Sequence, residues 1–376
     1  MIFASAANSA LPQLAPELVR ILPQQWVRAF IDYPDVVAAF VSMGLAAILI
    51  SLFWLVRGAT KASAAARIAL RAQALKRAKD HRALILIGYI DGGGHGLRQE
   101  LKRAIEDNFG LFAFQAEAVV ELFPVRLGVP APARANPKAN AEKRRRIAQA
   151  AVDILDKSAA DVIIWGKRGM FGPLDLRMTT VPAFGRVPEV DVVQLGWRAR
   201  RTGESVQQAL AYACARRARP VLNRPQDYKP ERLQPIVEAL DRLVEDPPEE
   251  ISDGVMMDIL NDFASGALSL GERGGHMRWL QKSLDARQRY LDQVDRSIDQ
   301  AAWGAAQQEI GRALAALGER EGAKDKLEEA VSRLKLAMDA LRATESLQNA
   351  EVAMRALQRA EQTLIQRKRI GLRWPV

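Results

Sequence analysis

Between Asp35 and Arg57 the chain runs through 21 residues, VVAAFVSMGLAAILISLFWLV, without a charge, and this stretch restricts its possible folds more than any other. A helix rises about 1.5 Å per residue, so the run would cover roughly 31 Å, the thickness of a hydrocarbon core. A cleaved export signal is a poorer reading, because its apolar region is about 7–15 residues long and lies close to a basic N-terminus. A buried helix of a soluble domain would show a polar stripe, and only Ser42 and Ser51 interrupt this one. Phe53 and Trp54 stand near the basic end, where aromatic belts form. The expectation is a single transmembrane helix over 36–56.

The flanks give that helix a direction. Residues 57–79 carry Arg57, Lys61, Arg67, Arg71, Lys76, Arg77 and Lys79, with no acid before Asp80. The positive-inside rule then puts 1–35 outside as a short extracytoplasmic segment and everything after the span in the cytoplasm. Arg (40) far outnumbers Lys (14), a bias that fits a GC-rich bacterial genome, so the expected location is a bacterial inner membrane. Residues 57–80 are Ala-rich and read as a basic juxtamembrane helix. Arg57, Lys61, Arg67 and Arg71 would face anionic lipid at roughly 1 kcal/mol each.

From Arg82 the pattern alternates. ALILIGYI (83–90) reads as a buried strand, DGGGHG (91–96) breaks it, and Leu97, Leu101, Ala104 and Ile105 share one helix face. A weak strand around 112–120, a Pro/Ala/Asn loop over 130–140 and a helix over 142–158 follow. DVIIWG (161–166), LDLRMTT (174–180) and VDVVQLGW (190–197) read as strands, and ESVQQALAYACARRA (204–218) as a helix. This order predicts a small α/β domain on a mixed sheet over 82–219. The opening strand and the phrase ADVIIWGKR (160–168) after a helix are similar to the amino-terminal domain of the TolB family.

A Pro-rich linker and a helix occupy 220–250, and 251–376 reads as all helix. There LSLGERGGHMRWLQKSLDARQRYLDQ (268–293) aligns with AALGEREGAKDKLEEAVSRLKLAMDA (315–340) at an offset of 47 without a gap. Such self-similarity marks a stacked repeat. The second copy carries Ile310, Gly311 and Leu314, with Gly318 expected at the turn, then Ala323, Leu327 and Ala330. The first carries Phe263, Ala264, Gly271 and Leu280, with His276 and Ser283 where Ala is usual. These positions resemble a tetratricopeptide repeat. The family period is 34 rather than 47, however, and Lys335 stands where its closing proline would be. Residues 346–368 read as a closing polar helix. The fold class expected is therefore α/β plus all-α: one transmembrane helix, a mixed-sheet domain and a helical-repeat tail.

Few residues suggest catalysis. The chain has one cysteine, Cys214, and three scattered histidines, His81, His95 and His276, so neither a disulfide nor a metal site is expected. Cys214 sits in an Ala-rich helical pattern, the profile of a buried small hydrophobe. The loop Asp91, Gly92, Gly93, Gly94, His95, Gly96 could bring backbone N–H groups to a phosphate. It lacks the Lys-Ser/Thr of a P-loop, Leu97 replaces the last glycine of the dinucleotide fingerprint, and Asp91 would repel an anion. A turn and helix start explain it as well, and no cofactor is expected. The basic clusters at 143–146, 198–201, 216–219 and 367–369 lack interleaved aromatics, which argues against nucleic acid.

The sequence thus points to a membrane-anchored adaptor that contacts lipid and holds a protein partner on its repeats. By the resemblance, Gln307, Gln308, Glu309 and Arg312 lie on the helix that lines the groove. The alternatives are a ligand- or nucleotide-sensing domain using 91–96, and a self-assembling membrane complex packed through Gly44 and Ala46/Ala47, a homo-oligomer.

Overall fold

The computed structural model describes residues 34–129, 137–169, 172–182, 187–198, 201–218 and 224–373; within its helices the side chains of 34–41, 56–64, 137–140 and 368–373 lie outside the description. The chain divides into two compact units, Met1–Leu70 and Arg71–Val376. Helix α1 (Pro34–Ala78) supplies the described part of the first and opens the second.

Among the described residues no helix is long and apolar enough to cross a membrane. The uncharged run whose side chains are described is Ser42–Leu55, 14 residues. Positions 36–41 and Val56 lie outside the described side chains, as does nearly all of the expected extracytoplasmic segment. The transmembrane helix, the single-pass topology, the cytoplasmic orientation and the bacterial inner-membrane location expected from the sequence are corrected accordingly. Arg57 and Lys61 lie outside the described side chains. Arg67 is exposed and engaged in an interaction, and Arg71 donates to Glu121 at 3.2 Å.

The second unit opens on a five-stranded mixed sheet in the order β2-β1-β3-β4-β5. Its strands are β1 (Ala83–Asp91), β2 (Ala118–Leu122), β3 (Val162–Arg168), β4 (Leu174–Thr180) and β5 (Asp191–Leu195). β1 is parallel to β2 and β3, and β3, β4 and β5 pair antiparallel. Helix α2 (Gly94–Phe112) connects β1 to β2, and α3 (Pro137–Ser158) connects β2 to β3. β1 and β3 are buried on both faces, which is why they read as unbroken apolar runs. Ile85, Ile87, Val162 and Ile164 meet Leu97, Leu101, Ile105 and Phe109 of α2 in one core. The alternate residues Leu84, Leu86, Ile163 and Trp165 are buried on the opposite face.

Two elements differ from the sequence reading. The strand expected from Phe112 starts only at Ala118, because α2 continues through Phe112 and the chain turns at Phe114 (φ 50°) and Gln115 (φ 59°). β3 does not stop at Gly166 but continues to Arg168. A Cβ at 166 would lie 2.2 Å from the Asp175 carbonyl oxygen, so this glycine serves close strand approach, not termination.

After α4 (Glu204–Ala218) and a 3-10 turn (Pro225–Asp227) come α5 (Pro230–Glu245), α6 (Asp253–Gly274), α7 (Met277–Leu291), α8 (Gln300–Glu321), α9 (Lys324–Ala343) and α10 (Leu347–Arg373). Helices α6/α7 and α8/α9 form two hairpins, and α10 packs on α9. The starts of α6, α8 and α10 are spaced 47 residues apart, so the offset seen in the sequence is the physical period. Tyr212 of α4, Leu240 of α5, and Ile259 and Phe263 of α6 share the core of the sheet. The hairpins are therefore stacked directly on the α/β layer.

The turn glycines are Gly275 (φ 77°) and Gly322 (φ 71°), each in the left-handed cap of the first helix of its hairpin. Gly271 and Gly318, expected at the turns, lie one helical turn earlier, against the second helix. Added Cβ atoms there would meet Leu280 Cγ at 2.6 Å and Leu327 Cγ at 2.8 Å. In α10 the position equivalent to Gly318 is Ile365, which is 51% exposed; among the described residues no second helix packs on it. Gly318→Ala should accordingly cost about 1–3 kcal/mol by overpacking, read as a lower urea midpoint at unchanged slope. An unchanged midpoint would show that Leu327 yields freely.

Candidate functional site

The first helix of each hairpin and α10 turn one face toward a common groove of about 740 Å³. From α6 come Ser265, Leu268, Ser269, Glu272 and Arg273. From α8 come Gln308, Glu309, Arg312, Ala315, Ala316, Glu319 and Arg320. From α10 come Asn349, Val352, Arg355, Ala356 and Arg359, and Pro225 and Gln226 close one side. The spacing of three and four residues along each helix places these side chains on a single face. The 47-residue period also brings equivalent positions together: Ser265, Arg312 and Arg359, then Glu272 and Glu319, then Gln308 and Arg355. Small residues at 265, 269, 315, 316 and 356 keep the floor open.

The charges are fixed from within. Arg312 holds Glu272 through two bonds, Nε at 3.0 Å and Nη2 at 2.5 Å. Burial alone would lower the Arg312 pKa, but the Glu272 carboxylate beside it raises it above the ordinary value. Glu309 accepts from Arg287 and from Ser265 Oγ at 3.0 Å. Glu319 accepts from Arg359 at 3.3 Å and Thr363 at 3.1 Å. Arg320 donates to the carbonyls of Gly271 and Glu272, and Arg273 to those of Pro225 and Gln226. Both guanidiniums are thus held at the groove wall by neutral acceptors. Five guanidiniums and three carboxylates line the groove.

Of the groove residues named from the sequence, Gln308, Glu309 and Arg312 line it. Gln307 does not: it is 3% exposed and accepts from Arg333 of α9 at 3.2 Å. Ser265, Glu272, Glu319, Arg320, Arg355 and Arg359 were missed, although adding or subtracting 47 from positions 308 and 312 names Ser265, Arg355 and Arg359.

The Gly-rich loop lies at the carboxyl end of β1, which is flanked by β2 on one side and β3 on the other. Gly92 (φ 77°) and Gly94 (φ 62°) adopt left-handed conformations, and Gly93 caps α2 with no side-chain bond. Asp91 lies opposite Lys167 in register and 3.4 Å from Arg126, and His95 lies 3.4 Å from Gln99. A Cβ at Gly92 would approach the Arg168 carbonyl oxygen to 2.7 Å, so packing alone accounts for this glycine. Cys214 is buried among apolar neighbours, which pushes its thiol up to about 12 and leaves it unreactive. Among the described residues no group of three or more His, Cys, Asp or Glu side chains is placed to hold a metal.

Compared with protein-family models, with curated proteins and with solved structures, the chain matches none.

Proposed function

We propose that this chain is an adaptor whose stacked hairpins hold an extended, carboxylate-bearing segment of a partner protein in the groove of α6, α8 and α10. The observation that carries the reading is the excess of guanidinium over carboxylate on the groove wall, with Arg273 and Arg320 held by carbonyl oxygens and the Ser269 hydroxyl. A groove lined by three parallel helix faces accommodates extended chain, and stacked repeats bind by such concave surfaces without catalytic groups. Rigid guanidinium forks suit carboxylates.

The full chain should bind extended acidic peptides in preference to neutral or basic ones of equal length. The double variant Arg355→Glu/Arg359→Glu should weaken that binding at least tenfold, and added salt should weaken it in the wild type. Binding indifferent to peptide charge, or untouched by the variant, would count against the groove.

A second reading takes its support from topology. In open α/β sheets ligands bind outside the carboxyl ends of strands where the strand order reverses, and the Gly92–Gly94 loop occupies that position at β1. Calorimetry with a panel of nucleotides decides it: heat abolished by Asp91→Ala favours a sensing role, and no heat with any nucleotide removes it.

A further inference from the structure

Beneath the groove runs a chain of polar contacts that links α8 to α4 through α7 and α6. It starts at Glu309, which faces the groove and accepts from Arg287 of α7. Arg287 is 2% exposed, and its Nε has no partner. Its other nitrogens donate to Ser265 Oγ at 2.9 Å and to Asn261 Oδ1 at 2.8 Å. The Asn261 amide donates onward to Asp262 at 3.2 Å. Asp262, 3% exposed, in turn accepts from Tyr212 Oη and Arg216 Nε of α4, both at 2.9 Å. The second repeat shows that this charge is dispensable to the architecture. The residue 47 positions after Arg287 is Leu334, fully buried in the same role of packing the second helix on the first.

We propose that occupancy of the groove is relayed to α4 of the sheet domain through Glu309, Arg287, Asn261 and Asp262. A backbone N–H of the bound segment that donates to Glu309 draws its carboxylate off Arg287. The guanidinium, still buried, then competes for the next carboxylate inward, Asp262, which α4 already uses. Asp262 is the shared element, held either by Tyr212 and Arg216 or by Arg287, and a ligand biases it by its contact with Glu309. The relay takes its trigger from the groove reading, but its wiring stands without any ligand. Loss of peptide binding would defeat that reading alone, and an unresponsive α4 would defeat the relay alone.

Hydrogen exchange on the full chain tests the wiring. Glu309→Gln keeps the shape and removes the charge. Amides of 204–218 should exchange at least tenfold faster in it, while those of 324–343 keep the wild-type rate. The groove variant Gln308→Ala, outside the chain of contacts, should leave 204–218 unchanged. Arg287→Leu copies the residue that the second repeat already folds with, and in that background Glu309→Gln should no longer affect 204–218. Three results overturn the proposal: wild-type exchange of 204–218 in Glu309→Gln, an equal response in Gln308→Ala, or persistence of the response in Arg287→Leu.

Discussion

Gly166→Ala should remove most of the stability of the sheet. The new Cβ would lie 2.2 Å from the Asp175 carbonyl oxygen and 3.0 Å from Leu176 Cα, and both are backbone atoms of the neighbouring strand β4. No rotamer change relieves such a clash; β3 and β4 would have to separate across the ladder that pairs Gly166 with Leu176. Replacing glycine stiffens the unfolded chain, which contributes about 0.4–1 kcal/mol of stability. Overpacking costs about 1–3 kcal/mol, occasionally more, and a clash with backbone atoms falls at the upper end, so the clash wins. Urea unfolding followed by circular dichroism should give a midpoint well below the wild type, or no cooperative transition. A midpoint at or above the wild type would mean that the two strands do not approach as described. Gly172→Ala, whose Cβ would meet nothing within 4 Å, is the matched control and should be nearly neutral.

The same glycine shows what sequence patterns could convey about the fold. An unbroken apolar run reveals a strand buried on both faces, so β1 and β3 were legible from ALILIGYI and DVIIWG. Gly166 was read as an end because glycine is usually punctuation. Its real role depends on the partner strand's backbone, which periodicity cannot see. The start of β2 was misjudged for a related reason: Phe112 and Ala113 look like strand residues, but Phe112 closes the buried face of α2 together with Leu101 and Phe109. In the uncharged run at 36–56, length and hydropathy alone suggested a span. Among the described residues no helix is long and apolar enough to cross a membrane.

The groove was partly legible because it is periodic. Gln308, Glu309 and Arg312 were found on the right helix, but Gln307 was included with them because adjacent residues were not separated by helix face. A rotation of about 100° per residue turns Gln307 toward Arg333 and Gln308 toward the groove. The buried polar chain below was not legible. Arg287 reads as one more surface arginine, and only the packing of α6, α7 and α8 shows that it is enclosed.

Asp262→Ala should be the most damaging single change in the helical half. The carboxylate is 3% exposed and accepts three hydrogen bonds, from Tyr212, Arg216 and Asn261. Burial, and next to it the Asp262 charge, already raises the Tyr212 pKa well above its ordinary value, so the phenol stays a donor and loses its acceptor in the variant. Breaking a buried ion pair on one side costs about 3–5 kcal/mol, because the other charge stays behind. The lower end applies here, since Arg216 keeps Asp258 at 3.2 Å and its side chain is 28% exposed. Tyr212→Phe, which removes one neutral donor, should cost only about 0.5–1.5 kcal/mol. If uncompensated charge causes the loss, the double variant Asp262→Leu/Arg216→Met should recover half of it or more, as apolar replacement of buried pairs often does. Equilibrium unfolding of the three variants separates charge from volume. If the double variant is as unstable as Asp262→Ala, the cost lies in packing between α4 and α6, and the ion pair is incidental to holding the hairpins on the sheet.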